Sequence, residues 1–138
     1  MSFLIMRAAL KSGVFYHRWL DSGDVRAPGE PVAAGADMLQ AFYAVANDTP
    51  HVRHWIPTRE TACVREAGDP PANVCVRLSA PFIGLRLKTE SPNSMVLPKG
   101  APVPDGVYPC PAPTQGNACV DCRACWDPSV RTVAYWAH

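Results

Sequence analysis

Apolar residues recur along the chain with two periods, one close to four residues and one that runs through short β-branched stretches. In residues 2–11, Leu4, Ala8 and Lys11 fall at helical spacing and predict a short opening helix. Val14 to Leu20 is aromatic and β-branched, predicts a strand, and ends at the turn signal Asp21-Ser22-Gly23-Asp24. After a loop with Pro28, Gly29 and Pro31, the positions Met38, Phe42 and Val45, with Leu39, Tyr43 and Ala46 beside them, predict a helix with a broad apolar stripe. Asn47-Asp48-Thr49-Pro50 stops it, because proline disfavours helical geometry at the residue before it. Val52 to Ile56 predicts a second strand, residues 60–67 a helical turn, and Asn73 to Leu78 a third strand. A fourth extended piece lies near Met95 to Leu97. Strands joined by crossovers too long for hairpins predict parallel pairing. The expected fold is therefore α/β, a partial barrel-like or open, mostly parallel sheet of three to four strands, followed by an irregular cysteine-rich loop.

Composition changes the picture mainly in the last third. The chain has 138 residues, room for about one domain, and 48% of them are hydrophobic. A formal charge of +1 leaves no basic surplus for broad phosphate neutralisation, so nucleic acid is a disfavoured partner. The run Phe3 to Met6 is too short to cross a membrane, and the lack of a basic leading region predicts no signal peptide. Seven of the 15 prolines lie between Pro92 and Pro113, and four of the 6 cysteines between Cys110 and Cys125. Residues 1–90 thus read as the α/β sheet region, and 91–138 as a Pro-rich segment with a Cys-rich metal-binding tail, together one domain.

Polar residues gather at the strand ends. Asp21 and Asp24 follow the first strand, Thr58, Arg59 and Glu60 the second, and Ser79 the third. Ligand sites of parallel α/β proteins lie at the carboxyl ends of strands. Asp21, Asp24, Arg59, Glu60 and Arg77 are therefore candidates for a small-molecule or anion site; the competing reading is that they serve their own turns. His17, Arg18, Arg53, His54 and Arg77 interrupt strands that should be almost continuously apolar if covered on both faces. His17 and His54 could then face a cleft as ligands or proton carriers, or be satisfied within the protein.

The sharpest chemistry is the spacing Cys110-Pro111, eight residues to Cys119, then Cys119-x2-Cys122-x2-Cys125. Four thiols in a Pro- and Gly-rich loop suit a metal, because such a loop can wrap an ion without a regular ladder. Zinc takes four thiolates and uses Cys-x2-Cys steps. A four-iron iron–sulfur cluster takes Cys-x2-Cys-x2-Cys with a separate Cys-Pro, although here the Cys-Pro stands upstream. With all four cysteines bound no iron would stay open to substrate, so a centre of that kind serves electron transfer or structure. His138 is a substitute ligand if the tail folds back. Trp126, Tyr135 and Trp136 are expected to cover the site apolarly. Cys75 reads as a buried small hydrophobe, and Cys63, at a helix start, as structural or as a thiol of lowered pKa.

These segments together resemble a known family. Trp19-Leu20-Asp21-Ser22-Gly23-Asp24, Pro57-Thr58-Arg59-Glu60, Asn73 to Ala80, Cys110 to Asn117, Cys122 to Trp126 and Val133 to Tyr135 are similar to the bacteriophage gene product eighty-eight family, over about residues 14–138. The resemblance implies a barrel-type α/β protein. Longer members carry another cysteine cluster near the N-terminus, similar to the three-cysteine signature of radical S-adenosylmethionine enzymes. Here no cysteine precedes Cys63, so an N-terminal portion is expected to be absent and its chemistry does not carry over. An eight-strand barrel needs ~200 residues or more, which leaves an open sheet edge in a shorter chain.

The expected function is that of a phage-encoded metal- or iron–sulfur-binding protein of the host cytoplasm, related to a cluster-dependent enzyme family. The alternative is a non-enzymatic factor that binds a host protein, such as an inhibitor of a defence system, with a structural zinc. Partners would be a host protein, or a second copy through the open sheet edge.

Overall fold

The computed structural model describes residues 1–137. Its elements are α1 (Ser2–Ser12), β1 (Tyr16–Arg18), α2 (Val32–Asn47), β2 (Arg53–Thr58), α3 (Thr61–Ala67), β3 (Val74–Ser79), β4 (Asn93–Leu97), β5 (Tyr108–Pro109) and β6 (Thr132–Trp136). The strands form one six-stranded sheet in the order β1-β2-β3-β4-β6-β5. The pairs β1–β2, β3–β4, β4–β6 and β5–β6 run parallel. Six strands replace the three to four expected, and both additions lie in the segment read as irregular. β5 is two residues long and contains a proline. β6, Thr-Val-Ala-Tyr-Trp, has a strand-forming composition that the neighbouring cysteines and prolines masked.

The chain divides into two compact units, Met1–Val76 and Arg77–His138, and the division falls within β3. In the first unit, α1 ends where Gly13 turns left-handed (φ 69°) and its N–H donates to Ala9 O at 2.8 Å. α2 starts after extended Pro31 and buries the pair Gly35 and Ala36, then Leu39, Tyr43 and Ala46 at steps of three or four. Met38, expected on this stripe, is 41% exposed; the buried face is centred one position further on. Leu39, Tyr43 and Ala46 pack with Trp19, Val25, Val52, Ile56, Cys63, Val74 and Val76.

The second unit has its own core of Ala80, Met95, Leu97, Val107 and Ala134, with Leu87, Ala101, Val103 and Trp136 packed against it. Between β5 and β6 the chain is irregular apart from 3-10 turns at Ala112–Thr114 and Ala124–Trp126. Among the described residues, no helix is long and apolar enough to cross a membrane.

Candidate functional site

The cysteine segment leaves β5, makes two turns and returns through β6. Cys110 follows Pro109 directly, and its N–H donates to Ala134 O of β6 at 2.8 Å, which fixes the start of the segment. Cys119 and Cys122 close a tight turn, Cys122 N–H donating to Cys119 O at 2.7 Å. Gly116 and Asn117 just before this turn and Val120 within it have positive φ; for β-branched Val120 (φ 46°) that conformation is strained, at a cost of about 1–3 kcal/mol. Arg123 Nη1 donates to the carbonyls of Val120 and Cys122 at 2.7 and 2.8 Å and helps hold the bend.

Arg77 holds the far side. It is fully buried. Its Nη1 donates to Asn93 O at 2.9 Å and Val130 O at 3.0 Å, and its Nη2 to Ala124 O at 2.9 Å and Asp127 O at 3.0 Å. Longer bonds of 3.4 Å reach Cys125 O and Arg131 O. A guanidinium's fixed fork of five donors suits such a cradle of carbonyls. One side chain of β3 thus ties the return of the loop to the start of β4.

The four terminal cysteines line one nearly closed pocket, with Tyr108, Pro111, Ala112, Ala124, Trp126 and Val133 as the rest of its wall. About 10 Å³ is free inside, close to the room one water needs. Cys125 is buried, Cys110 and Cys122 half-buried, and Cys119 exposed. Two phenols reach these sulfurs: Tyr135 Oη lies 3.1 Å from Cys125 Sγ, and Tyr108 Oη 3.6 Å from Cys122 Sγ. Burial pushes the Cys125 thiol up to about 11 and raises Cys110, so both are protonated thiols at neutral pH. Among the described residues, no three His, Cys, Asp or Glu side chains stand close enough together to hold an ion as they are.

Composition did not point to the phenols. Tyr135, expected as apolar cover, brings a hydroxyl, and Tyr108 was not expected at all; its place two residues before Cys110 in a strand was the available signal. Trp126 lines the pocket as expected. Trp136 packs instead in the second unit's core, where its Nε1–H donates to Ala101 O at 3.2 Å. His138 lies outside the described residues.

The strand-end candidates have separate surroundings. Asp24 and the end of β2 meet: one Asp24 carboxylate oxygen accepts from the Thr58 hydroxyl and from Val25 N–H, the other from Arg59 N–H. Glu60 is paired with Arg26 at 2.7 Å. Asp21 is almost fully exposed, 4.0 Å from Arg18. Arg77 directs its donors to the carbonyls named above. Ser79 accepts from Ser94 at 3.4 Å.

The two histidines differ. His54 is fully buried and faces no cleft. Its Nδ1 accepts from Trp19 Nε1–H at 3.1 Å, so in the neutral ring Nε2–H donates to Thr49 Oγ1 at 2.9 Å, and Thr49 in turn donates to Val45 O at 2.7 Å. His17 lines a groove with α1 residues Leu4, Ile5 and Ala8, its ring edge-on to Trp19. Cys75 is a buried strand residue, as expected. Cys63 is buried beside Glu60, and burial raises its thiol rather than lowering it.

No curated protein and no solved structure matches the chain. The sequence profile of the Gene product 88 family matches residues 5–128, which takes in most of α1 and all four pocket cysteines and stops before β6. With nearly its whole length so matched, the chain belongs to the phage gene product 88 family.

Proposed function

We propose that this phage α/β protein binds a metal centre in the second unit, and that Cys110, Cys119, Cys122 and Cys125 hold a four-iron iron–sulfur cluster there. The observation that carries this reading is that four thiols from separated turns line a single apolar pocket. The donor set matches in kind, since thiolates are the ligands such clusters take; loading must widen the pocket, which as it stands has room for about one water. The partition favours iron over zinc. The three cysteines of one Cys-x2-Cys-x2-Cys run follow the iron–sulfur spacing more fully than the paired steps of zinc sites, even with the separate Cys-Pro upstream.

Bound through all four cysteines, the cluster supplies one-electron chemistry or a structural cross-link, with no open position for substrate. The protein's own residues exclude water and fix the ligands. Trp126, Val133 and Pro111 supply the apolar wall, Arg77 anchors the returning loop, and Arg123 holds the Cys119–Cys122 bend.

Anaerobic purification tests this directly. The expected protein is brown, absorbs broadly across the violet and blue, and contains iron and acid-labile sulfide. Replacing all four pocket cysteines with serine removes the colour, whereas Cys63→Ser and Cys75→Ala keep it. A colourless protein with stoichiometric zinc would replace the cluster by a zinc staple. Absence of both metals, with an unchanged melting temperature in the four-serine variant, would overturn the metal centre altogether.

A further inference from the structure

We propose that Tyr135 donates a hydrogen bond to the Cys125 ligand sulfur and thereby raises the reduction potential of the centre, with Tyr108 as a weaker second donor to Cys122. This rests on the cluster reading above. It is carried by the placement of the two phenols, one on each of the neighbouring strands β5 and β6. Tyr135 stands on β6 opposite Val96 of β4, so its backbone is held by a ladder rather than by the loop. Its Oη is 3.1 Å from the sulfur of Cys125, a residue only 7% exposed.

Reduction adds one electron to the centre, and part of that charge resides on the ligand sulfurs. A hydroxyl aimed at a sulfur stabilises the more negative state more than the less negative one. The effect is larger where water does not compete. Tyr135 meets that condition at Cys125. Tyr108 is 41% exposed and 3.6 Å from its sulfur, so its contribution is diluted. Arg77 adds a buried positive charge in the same unit, on the side of Cys125. Tyr135 keeps its proton throughout; only the strength of the bond it donates changes. It is a positioning residue, since it acts through Cys125.

The test compares the wild-type protein with Tyr135→Phe and Tyr108→Phe, each purified anaerobically and titrated with dithionite while absorbance and potential are recorded. All three are expected to keep the same iron content and spectrum. The midpoint should move to more negative potential in Tyr135→Phe, and by less in Tyr108→Phe. An unchanged midpoint in an iron-replete Tyr135→Phe protein would overturn the tuning role and leave the cluster reading intact. Loss of iron in that variant alone would make Tyr135 structural and overturn the proposal as well. A colourless wild-type protein would overturn the cluster reading first, and this inference with it.

Discussion

Protonating His54 where it stands would put a second N–H at Nδ1, where Trp19 already donates. Burial, and to a smaller degree His17 beside it, accordingly lowers the pKa of His54 to about 4, and burial lowers that of His17 too. The unfolded chain titrates near the ordinary value of about 6.5. Between these values only the unfolded state takes up the proton, so the histidine's contribution to stability is complete above about pH 6.5 and falls away as pH drops toward 4. The loss should reach at most about 3 kcal/mol. Urea denaturation at pH 7, 5 and 4 measures it; His54→Gln should flatten the curve, and an equal slope in both proteins would rule His54 out as its source. Arg77 makes a different kind of claim. Arg77→Met leaves buried carbonyls without donors and should cost about 3–5 kcal/mol. Arg77→Lys should recover little, since an ammonium cannot span the same fork. A urea midpoint for Arg77→Lys close to wild type would show that charge alone suffices.

At the scale of elements, α2 and α3 meet at a residue whose smallness is required. A Cβ added at Gly35 would lie 2.6 Å from Cys63 Sγ and 3.1 Å from Arg26 Cβ. Gly35→Ala should therefore destabilise by about 1–3 kcal/mol, and adding Cys63→Ala should return a large part of it. Thermal melts of the two variants and their combination give the coupling; strictly additive effects would mean that the clash is relieved elsewhere. Elements with a strong period or a clear stop were legible in the sequence. α2 could be read from its stripe and from Pro50, and β3 from an apolar run that is buried almost throughout. Strand ends were legible too, but not their chemistry. A strand-terminal Asp bonding local backbone and one awaiting a ligand have the same local sequence, and only the partners of Asp24 tell them apart. The four cysteines announced themselves by spacing. The roles of Tyr135 and Arg77 did not show, because they depend on contacts across 10 positions of chain for Tyr135 and 16 to 54 for Arg77.

At the scale of the molecule, all four proposed ligands lie in the second unit, so metal binding should couple to that unit's stability. Hydrogen exchange with and without metal should show protection gained across the segment from β5 to β6 and little change in α2 and β2. A uniform change along the chain would argue against a local centre. The two outer strands of the sheet also bear on how the protein meets other chains. β1 and β5 stand at its two ends. Cys110 N–H points inward to β6, so by alternation the outward donors of that end belong to residues 107, 109 and 111. Val107 N–H is already given to Pro104 O, and the other two are prolines with none. An incoming strand would find no amide to accept from along this side, which makes it a poor template for the edge-to-edge growth that ends in aggregation.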